Sequence, residues 1–484
     1  MNLVELFGDY PILKTVGEMN KDILGIKHDS RKIKLNELFI AKKGFTKDGH
    51  KFINEAIKNG ASTILLDEMT ETIPGITYIL VKDTYDAVSY ISSRYFDEPS
   101  KKMTMVAITG TNGKTSTSYL IQSILNANCI NTGIIGTLGV KIDDNLNKLE
   151  NTTPEPISLH YNLYKMVKAN IKACAMEVSS HALELKRAEY IDFDIGVFTN
   201  LTKDHLDYHK SMDNYFHSKL KLFYKTTKYN IINIDDVYGR KIIDEAGNRV
   251  HLLTYGIENN ADIVAKDINY RMDKVSFSLN FNGYDVDIIL NMPGKFSIYN
   301  ALAAASVGVA LDIDLWTIKA GLEAVEGIKG RFEIVPTNRD FSVIIDFAHT
   351  ADGLEKVLKV IHQFAEGRII VVFGAGGNRD RTKRPDMGMV VGLNADFAVI
   401  TSDNPRNEEP SAIIEDILTG IKNTKIEYKV IIDRKEAIEY ALKIARTNDI
   451  ILLAGKGHET YTIFKDNIYP LDERQIVLDY LDII

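Results

Sequence analysis

Cysteine is scarce: Cys129 and Cys174 are the only two in 484 residues. Two thiols cannot staple a disulfide framework or supply a cysteine-rich zinc site, and they suit a reducing compartment. A basic excess is missing as well. The chain carries 58 Lys and Arg against 66 Asp and Glu, a formal charge of −8. That balance excludes a protein whose main task is to grip nucleic acid through a basic surface. Small anionic ligands stay open, because a few local cations suffice for them. Long apolar runs are absent: the longest small-apolar stretch, Ala301 to Leu311, is too short for a bilayer and runs into Asp312. The N-terminus has Glu5 where a signal peptide needs a basic segment. Repeats and low-complexity tracts are not visible either. The expectation is a cytoplasmic chain that does not insert into membranes.

What is present is ordinary globular material, 45% hydrophobic and 26% charged. The length suggests roughly three domains, each large enough for its own core. Phe52, Ala56 and Ile57 recur at helical spacing in the first block. The polar, proline-broken segment Asp97 to Lys102 reads as a linker. Further on, Val275, Phe277, Leu279 and Phe281 alternate with polar residues, Asn282-Gly283 supplies a turn, and Tyr284, Val286 and Ile288 return. This predicts a hairpin. An Ala-rich helix is predicted from about Ser297. From Phe332 onward, apolar runs (Val343–Ile345, Ile369–Phe373, Phe397–Ile400, Val430–Ile432, Ile450–Leu453) alternate with helical patterns such as Ile413, Ile414, Ile417, Leu418 and Ile421. Such alternation predicts a mostly parallel, doubly wound sheet, whose ligands bind beyond the carboxyl ends of the strands. Asp346, Gly374, Asp403 and Gly455 each fall just after such a run.

The strongest local signal is Gly110-Thr111-Asn112-Gly113-Lys114-Thr115-Ser116, between the apolar run Met105–Ile108 and a helical pattern through Tyr119, Leu120 and Ile124. Strand, glycine-rich turn and helix N-terminus converge backbone N–H groups on phosphate oxygens. Lys114 would neutralise phosphate charge and Thr115 would hold Mg²⁺. Ile108 stands where the longer loop has its first glycine, so this is a shortened form. The loop by itself leaves kinases, ATPases and ligases open. Glu177, closing the apolar run Ala173–Met176, is placed for a second oxygen ligand. Asn200 to His209 form another polar cluster, where each His or Asp reads equally as a cap or a solvated loop residue.

Taken together, these segments resemble the Mur ligase family. The resemblance runs through Asp29-Ser30-Arg31, Gly110 to Ser116, Asn151-Thr152-Thr153-Pro154, Glu177 to His181 and Asn200 to His209. It continues through Pro293 to Phe296, Gly330 to Glu333, Asp346 to His349, Asp403 to Arg406 and Gly455 to Glu459. It implies an α/β protein of three domains. A UDP-binding domain would cover 1–100, a central P-loop, parallel-sheet ATP-binding domain 101–331, and a Rossmann-like amino-acid domain 332–484. The implied reaction is ATP-dependent ligation of meso-diaminopimelate to UDP-N-acetylmuramoyl-L-alanyl-D-glutamate through an acyl phosphate, in peptidoglycan precursor synthesis.

The resemblance also implies roles. Gly110, Thr111, Asn112, Gly113, Lys114, Thr115 and Ser116 would cradle ATP. Asn300 would meet its adenine, Arg331 a phosphate, and Asp346 and His349 the nucleotide from the third domain. Thr115, Glu177, His205 and Lys219, the last as a carbamate, would hold Mg²⁺. On local sequence alone Lys219 reads as a surface helix lysine. Ser30 and Thr46 would contact the uridine end, and Asn151, Thr152, Thr153, Ser179 and Arg187 the rest of that substrate. Arg379, Asp403, Asn404, Pro405, Arg406, Gly455 and Glu459 would take the amino acid. A guanidinium fork at Arg406 suits the second carboxylate that diaminopimelate has and lysine lacks. The chain is expected to act as a monomer on small molecules. The alternatives are the same ligase adding L-lysine, a folylpolyglutamate synthetase-like ligase, and a non-catalytic nucleotide-binding scaffold.

Overall fold

The computed structural model describes residues 1–44, 47–149, 151–465 and 467–482. They form two compact units. One comprises Met1–Ile108, Ile130–Gly196 and Lys221–Lys228; the other comprises Thr109–Cys129, Val197–Leu220 and Tyr229–Ile484.

In the first unit a five-stranded sheet runs in the order Lys14–Val16, Thr77–Leu80, Ala61–Leu66, Glu37–Ala41, Gly25–Lys27. Only its first pairing is antiparallel. Helix Thr84–Tyr95 packs its Ala87, Val88 and Ile91 face on this sheet's core. The same unit holds the strand Ala173–Glu177, parallel to both Thr104–Thr109 and Thr132–Gly136. Every residue of Ala173–Glu177 is buried, the acid included. The expected linker is instead a 3-10 turn, Pro99–Lys102, with Pro99 and Ser100 buried. Ser100 is a satisfied buried polar residue, its Oγ accepting from the Asp192 N–H at 3.3 Å.

In the second unit the predicted hairpin forms as Val275–Phe281 and Tyr284–Leu290. Asn282 and Gly283 have φ of 51° and 82°, as the tight turn requires. The Ala-rich helix spans Lys295–Ala310. Its small side chains let it lie closely beside helix Lys114–Ala127, which follows the glycine-rich loop.

The six-stranded sheet of this unit runs Glu333–Val335, Ser342–Asp346, Ile450–Ala454, Ile369–Phe373, Phe397–Ile400, Glu427–Val430, parallel after the first pairing. Alternate residues of its strands face opposite cores. Ile344, Val371 and Phe373 meet helices Ala351–His362, Lys383–Asn394 and Pro410–Ile421; Val343, Ile345, Ile370 and Val372 meet Arg434–Ile444 and Glu473–Tyr480. Burial on both faces explains why these strands read as unbroken apolar runs. The last strand ends at Val430, so Ile432 of the expected run lies beyond it and is exposed. Each apolar side chain so buried stabilises the fold by about 1.5–3 kcal/mol. Among the described residues no helix is long and apolar enough to cross a membrane.

Candidate active site

In the second unit the glycine-rich loop is braced by the polar cluster that follows strand Ile195–Phe198. The backbone N–H of Thr111 donates to the Asn200 carbonyl (2.8 Å), and that of Asn112 to Asn200 Oδ1 (3.0 Å). Thr199 Oγ1 donates to the Asn112 carbonyl at 2.7 Å. Gly113 has φ 87°, and a Cβ there would strike the side chain of Asn300. Lys114 Nζ donates to the carbonyls of Gly110 (2.9 Å) and Thr111 (2.8 Å), so the cation caps the loop. Arg331 donates to Thr115 Oγ1 at 3.1 Å, bringing a second positive charge to the first turn of helix Lys114–Ala127. Asn300 lies on helix Lys295–Ala310 with Thr117 3.5 Å away, and Ser116 is partly buried.

Lys219 is not the surface lysine of its local pattern: it is 1% exposed. Its amine donates to the Gly110 carbonyl at 2.9 Å and lies 4.8 Å above the Tyr215 ring. Burial, reinforced by the charge of Lys114, holds this amine well below the ordinary lysine range. Nearby, Asp204 is buried against three cationic or ionisable groups: His205 Nε2 at 3.4 Å, Lys383 Nζ at 3.8 Å and His349 Nε2 at 4.0 Å. Burial works to raise the Asp204 carboxyl, but His205, Lys383 and His349 outweigh it and hold it well below the usual carboxylate range. Desolvation, then the charge of Lys383, push His349 down to about 4. Asp346 uses both carboxylate oxygens on backbone N–H groups, Phe332 and Ala348, each at 2.7 Å. It therefore ties Arg331-Phe332 to the loop bearing His349; burial raises its pKa.

Four strand ends of the six-stranded sheet converge, as the doubly wound pattern predicts. Asn404 Nδ2 donates to Glu459 Oε2 (2.7 Å), the Gly377 N–H to the Asn404 carbonyl (2.9 Å), and the Gly455 N–H to the Asp346 carbonyl (3.0 Å). Gly455 has φ 113°, and a Cβ there would press on Asp403 Oδ2. Pro405 is buried between its neighbours. Burial raises Glu459, whereas Asp403 is held below its ordinary range by Lys456 and Arg434 against the opposing effect of burial. Arg406, with φ 50°, donates from Nη1 to the Gly377 carbonyl at 2.9 Å. Desolvation and the neighbouring charge of Arg379 lower its pKa. A Cβ at Gly376 would meet both Arg406 Nη1 (3.0 Å) and Arg379 Cγ (3.7 Å), and two basic side chains meeting there make a place for an anion.

In the first unit Glu177 accepts from the Thr137 N–H and Thr137 Oγ1, both at 2.9 Å. Thr153 Oγ1 donates to the Glu177 carbonyl (2.9 Å) and accepts from the Ser179 N–H (3.0 Å). Arg187 donates to the Thr153 carbonyl at 3.1 Å. Thr152 Oγ1 lies 3.1 Å from Thr137 Oγ1, and Asn151 is exposed beside it. These expected residues are one group. Ser30 is apart from their hydrogen bonds, its Oγ donating to Glu55 Oε2 at 2.6 Å. Thr46 lies outside the described residues.

Sequence reasoning missed several members of these groups. Glu155 pairs with both Lys42 (2.6 Å) and Arg187 (2.7 Å). Burial favours its neutral form, but the two cations hold it below its ordinary range. Asp352 accepts from Asn112 Nδ2 (2.8 Å), Thr202 Oγ1 (3.1 Å) and Lys356 Nζ (2.8 Å), joining the first turn of helix Ala351–His362 to the glycine-rich loop. Lys456 is wholly buried, with Asn404 Oδ1 at 3.2 Å and Glu459 Oε2 at 3.3 Å. The available signals were a lysine between two glycines, Gly455 and Gly457, and adjacent Asp204-His205 in one polar loop.

Comparison with known proteins converges on one answer. Models of the Mur ligase family catalytic domain, the Mur ligase middle domain and the Mur ligase glutamate ligase domain match residues 22–93, 108–308 and 330–457. A UDP-N-acetylmuramoyl-L-alanyl-D-glutamate–2,6-diaminopimelate ligase of Caldanaerobacter subterraneus subsp. tengcongensis is 47% identical over 96% of each chain. The protein of that name from Clostridioides difficile is 44% identical over 99% of each. A solved structure of a ligase of this name is 29% identical, covers 100% of this chain and 99% of its own, and has a TM-score of 0.70. With a phosphate-binding loop, a doubly wound sheet and full-length likeness of this order, the chain belongs to the Mur ligase family of ATP-dependent ligases.

Proposed function

We propose that this ligase joins meso-diaminopimelate to UDP-N-acetylmuramoyl-L-alanyl-D-glutamate in the cytoplasm, as a monomer, in the making of peptidoglycan precursor. The observation that carries the reading is the meeting of the Arg406 and Arg379 side chains at Gly376, where a Cβ would lie 3.0 Å from Arg406 Nη1 and 3.7 Å from Arg379 Cγ, beside loops that also present Asp403 and Glu459. A zwitterionic diamine with a distal carboxylate matches both halves of that arrangement; lysine matches one.

The chemistry follows from the difficulty of the reaction. A carboxylate is a poor electrophile, so it is first phosphorylated. An oxygen of the D-glutamate carboxylate attacks the γ-phosphorus, the bond to the bridging oxygen breaks, and ADP leaves. The diamine nitrogen then attacks the acyl carbon, phosphate departs, and a proton passes from nitrogen to water. The first step brings two anions together, which Lys114 and Arg331 screen. Gly110 to Ser116 hold the phosphates, Asn300 the adenine, and Asp346 and His349 close on the nucleotide. Mg²⁺ would be held by Thr115, Glu177, His205 and Lys219, and when bound it supplies charge neutralisation at the phosphates. Mg²⁺ takes oxygen ligands, which Thr115 and Glu177 supply directly, while His205 offers a nitrogen. Lys219 becomes an oxygen ligand only as a carbamate, and its buried amine, favoured in the neutral form, is the species that combines with carbon dioxide. Ser30, Thr46, Asn151, Thr152, Thr153, Ser179 and Arg187 bind the UDP-muramyl dipeptide. The three domains are taken as 1–100, 101–331 and 332–484.

Purified protein supplied with ATP, Mg²⁺ and the UDP-muramyl dipeptide is expected to release ADP only when the diamine is added, and faster with meso-diaminopimelate than with L-lysine. ADP release indifferent to the muramyl dipeptide would sink the reading, and faster turnover of L-lysine would replace the diamine. Arg406→Ala is expected to raise KM for diaminopimelate about tenfold or more, the loss of a charged hydrogen bond, with KM for ATP unchanged.

A further inference from the structure

Arg384 is one of the largest side chains that the fold buries completely, at 0% exposure. It stands on the inner face of helix Lys383–Asn394, in register with Met387, Gly388 and Val391. A cation in an apolar stripe needs full compensation. Its Nη1 donates to Glu408 Oε2 (2.9 Å) and Asp416 Oδ2 (2.8 Å), and its Nη2 to Glu408 Oε1 (2.8 Å) and the Gly376 carbonyl (3.2 Å).

The position of these partners matters more than their number. Gly376 lies on the loop that carries Arg379, and Glu408 follows the loop that carries Arg406. Glu408 Oε1 also accepts from the Asn378 N–H at 2.5 Å, and Asn378 Oδ1 accepts from the Asn407 N–H at 3.0 Å. At Gly377 a Cβ would collide with the Pro405 carbonyl, so the two loops touch backbone to backbone. At Gly376 a Cβ would meet both Arg406 Nη1 (3.0 Å) and Arg379 Cγ (3.7 Å), so two basic side chains share that corner, and Glu408 is the anion bonded to both loops.

We propose that Arg384, acting through the Glu408 fork, is a positioning residue that sets the spacing of the Arg379 and Arg406 guanidinium groups and so selects for an amino acid with a distal carboxylate. The proposal rests on the reading above, in which those two arginines receive that carboxylate. Arg384 touches no substrate; it acts by holding one loop against the other.

The test uses the full chain and steady-state kinetics with meso-diaminopimelate, L-lysine, ATP and the UDP-muramyl dipeptide. Arg384→Lys keeps the charge and loses the fork; Glu408→Gln keeps the shape and weakens it. Both are expected to raise KM for diaminopimelate about tenfold to a hundredfold, the scale of a misplaced binding group. The preference over L-lysine should fall by the same factor, with KM for ATP and for the UDP-substrate unchanged. If Arg384→Lys fails to fold, Glu408→Gln, at a part-exposed side chain, carries the same readout. Unchanged KM and preference would overturn the brace, as would a uniform loss on all substrates with a lowered melting temperature. A wild type that prefers L-lysine overturns the distal-carboxylate reading itself; a wild type that prefers diaminopimelate beside indifferent variants overturns the brace alone.

Discussion

Lys219 and Lys456 both lie out of solvent, at 1% and 0% exposure, yet their amines meet different company. Lys219 faces the Gly110 carbonyl and the Thr109 hydroxyl, with the charge of Lys114 near, and its neutral form is favoured. Lys456 faces the Glu459 carboxylate and the Asn404 amide, and its charge lowers the pKa of Asp403. Burial alone therefore does not decide what a lysine is for. A carboxylate in hydrogen-bond reach offsets the desolvation of a buried lysine, whereas a like charge adds to that desolvation and turns the amine toward a nucleophile.

The sharpest way to break this comparison is Lys219→Ala. If the amine works as a carbamate, kcat should fall about 100-fold or more, the scale of removing one electrostatic stabiliser. Short-chain carboxylates should restore part of it in a coupled ADP-release assay. Full activity in the variant would put Lys219 on the same footing as any buried packing residue.

Lys456→Met should act on stability as well as turnover. It leaves Glu459 and Asn404 facing a methyl group, and removing one partner of a buried pair costs about 3 kcal/mol. Urea unfolding would measure the loss; a change within error would mean that Glu459 is neutral in the wild type.

The smallest expected effect is in acid. Asp403 has a folded-state pKa below its unfolded value. Its contribution is therefore complete above the unfolded value, about 3.9, and is lost as pH falls through the depressed one. Melting temperature followed downward from pH 5 should fall less steeply in Lys456→Met than in the wild type, because that cation is the main cause of the depression. Parallel curves would break the link between the two residues.

How much of this was legible in the chain depended on distance along it. The Gly110–Ser116 loop, the Asn282-Gly283 hairpin and four apolar runs of the third block (Val343–Ile345, Ile369–Phe373, Phe397–Ile400 and Ile450–Leu453) each rest on neighbours within a few residues, and each formed where its pattern placed it. The run through Ile432 misled because the last strand lies at the sheet edge, where all four of its residues, Glu427–Val430, are exposed and apolar content no longer marks a strand. Lys219 misled because its neighbours include exposed His217 and Lys221, and nothing local reveals that Gly110 and Tyr215 close over it. Arg384 was hidden for a similar reason: its anions, Glu408 and Asp416, come from segments 24 and 32 residues away.

Order along the chain settled which turns, caps and apolar faces could exist, since those follow from backbone sterics and the periodicity of side chains. Folding alone settled the directions in which the Lys219 and Asp204 pKa values move, the meeting of Arg379 and Arg406 at Gly376, and the anions around Arg384. The reason is physical: desolvation and Coulomb forces act through space over a few ångströms, between groups that the chain holds far apart until its cores have formed.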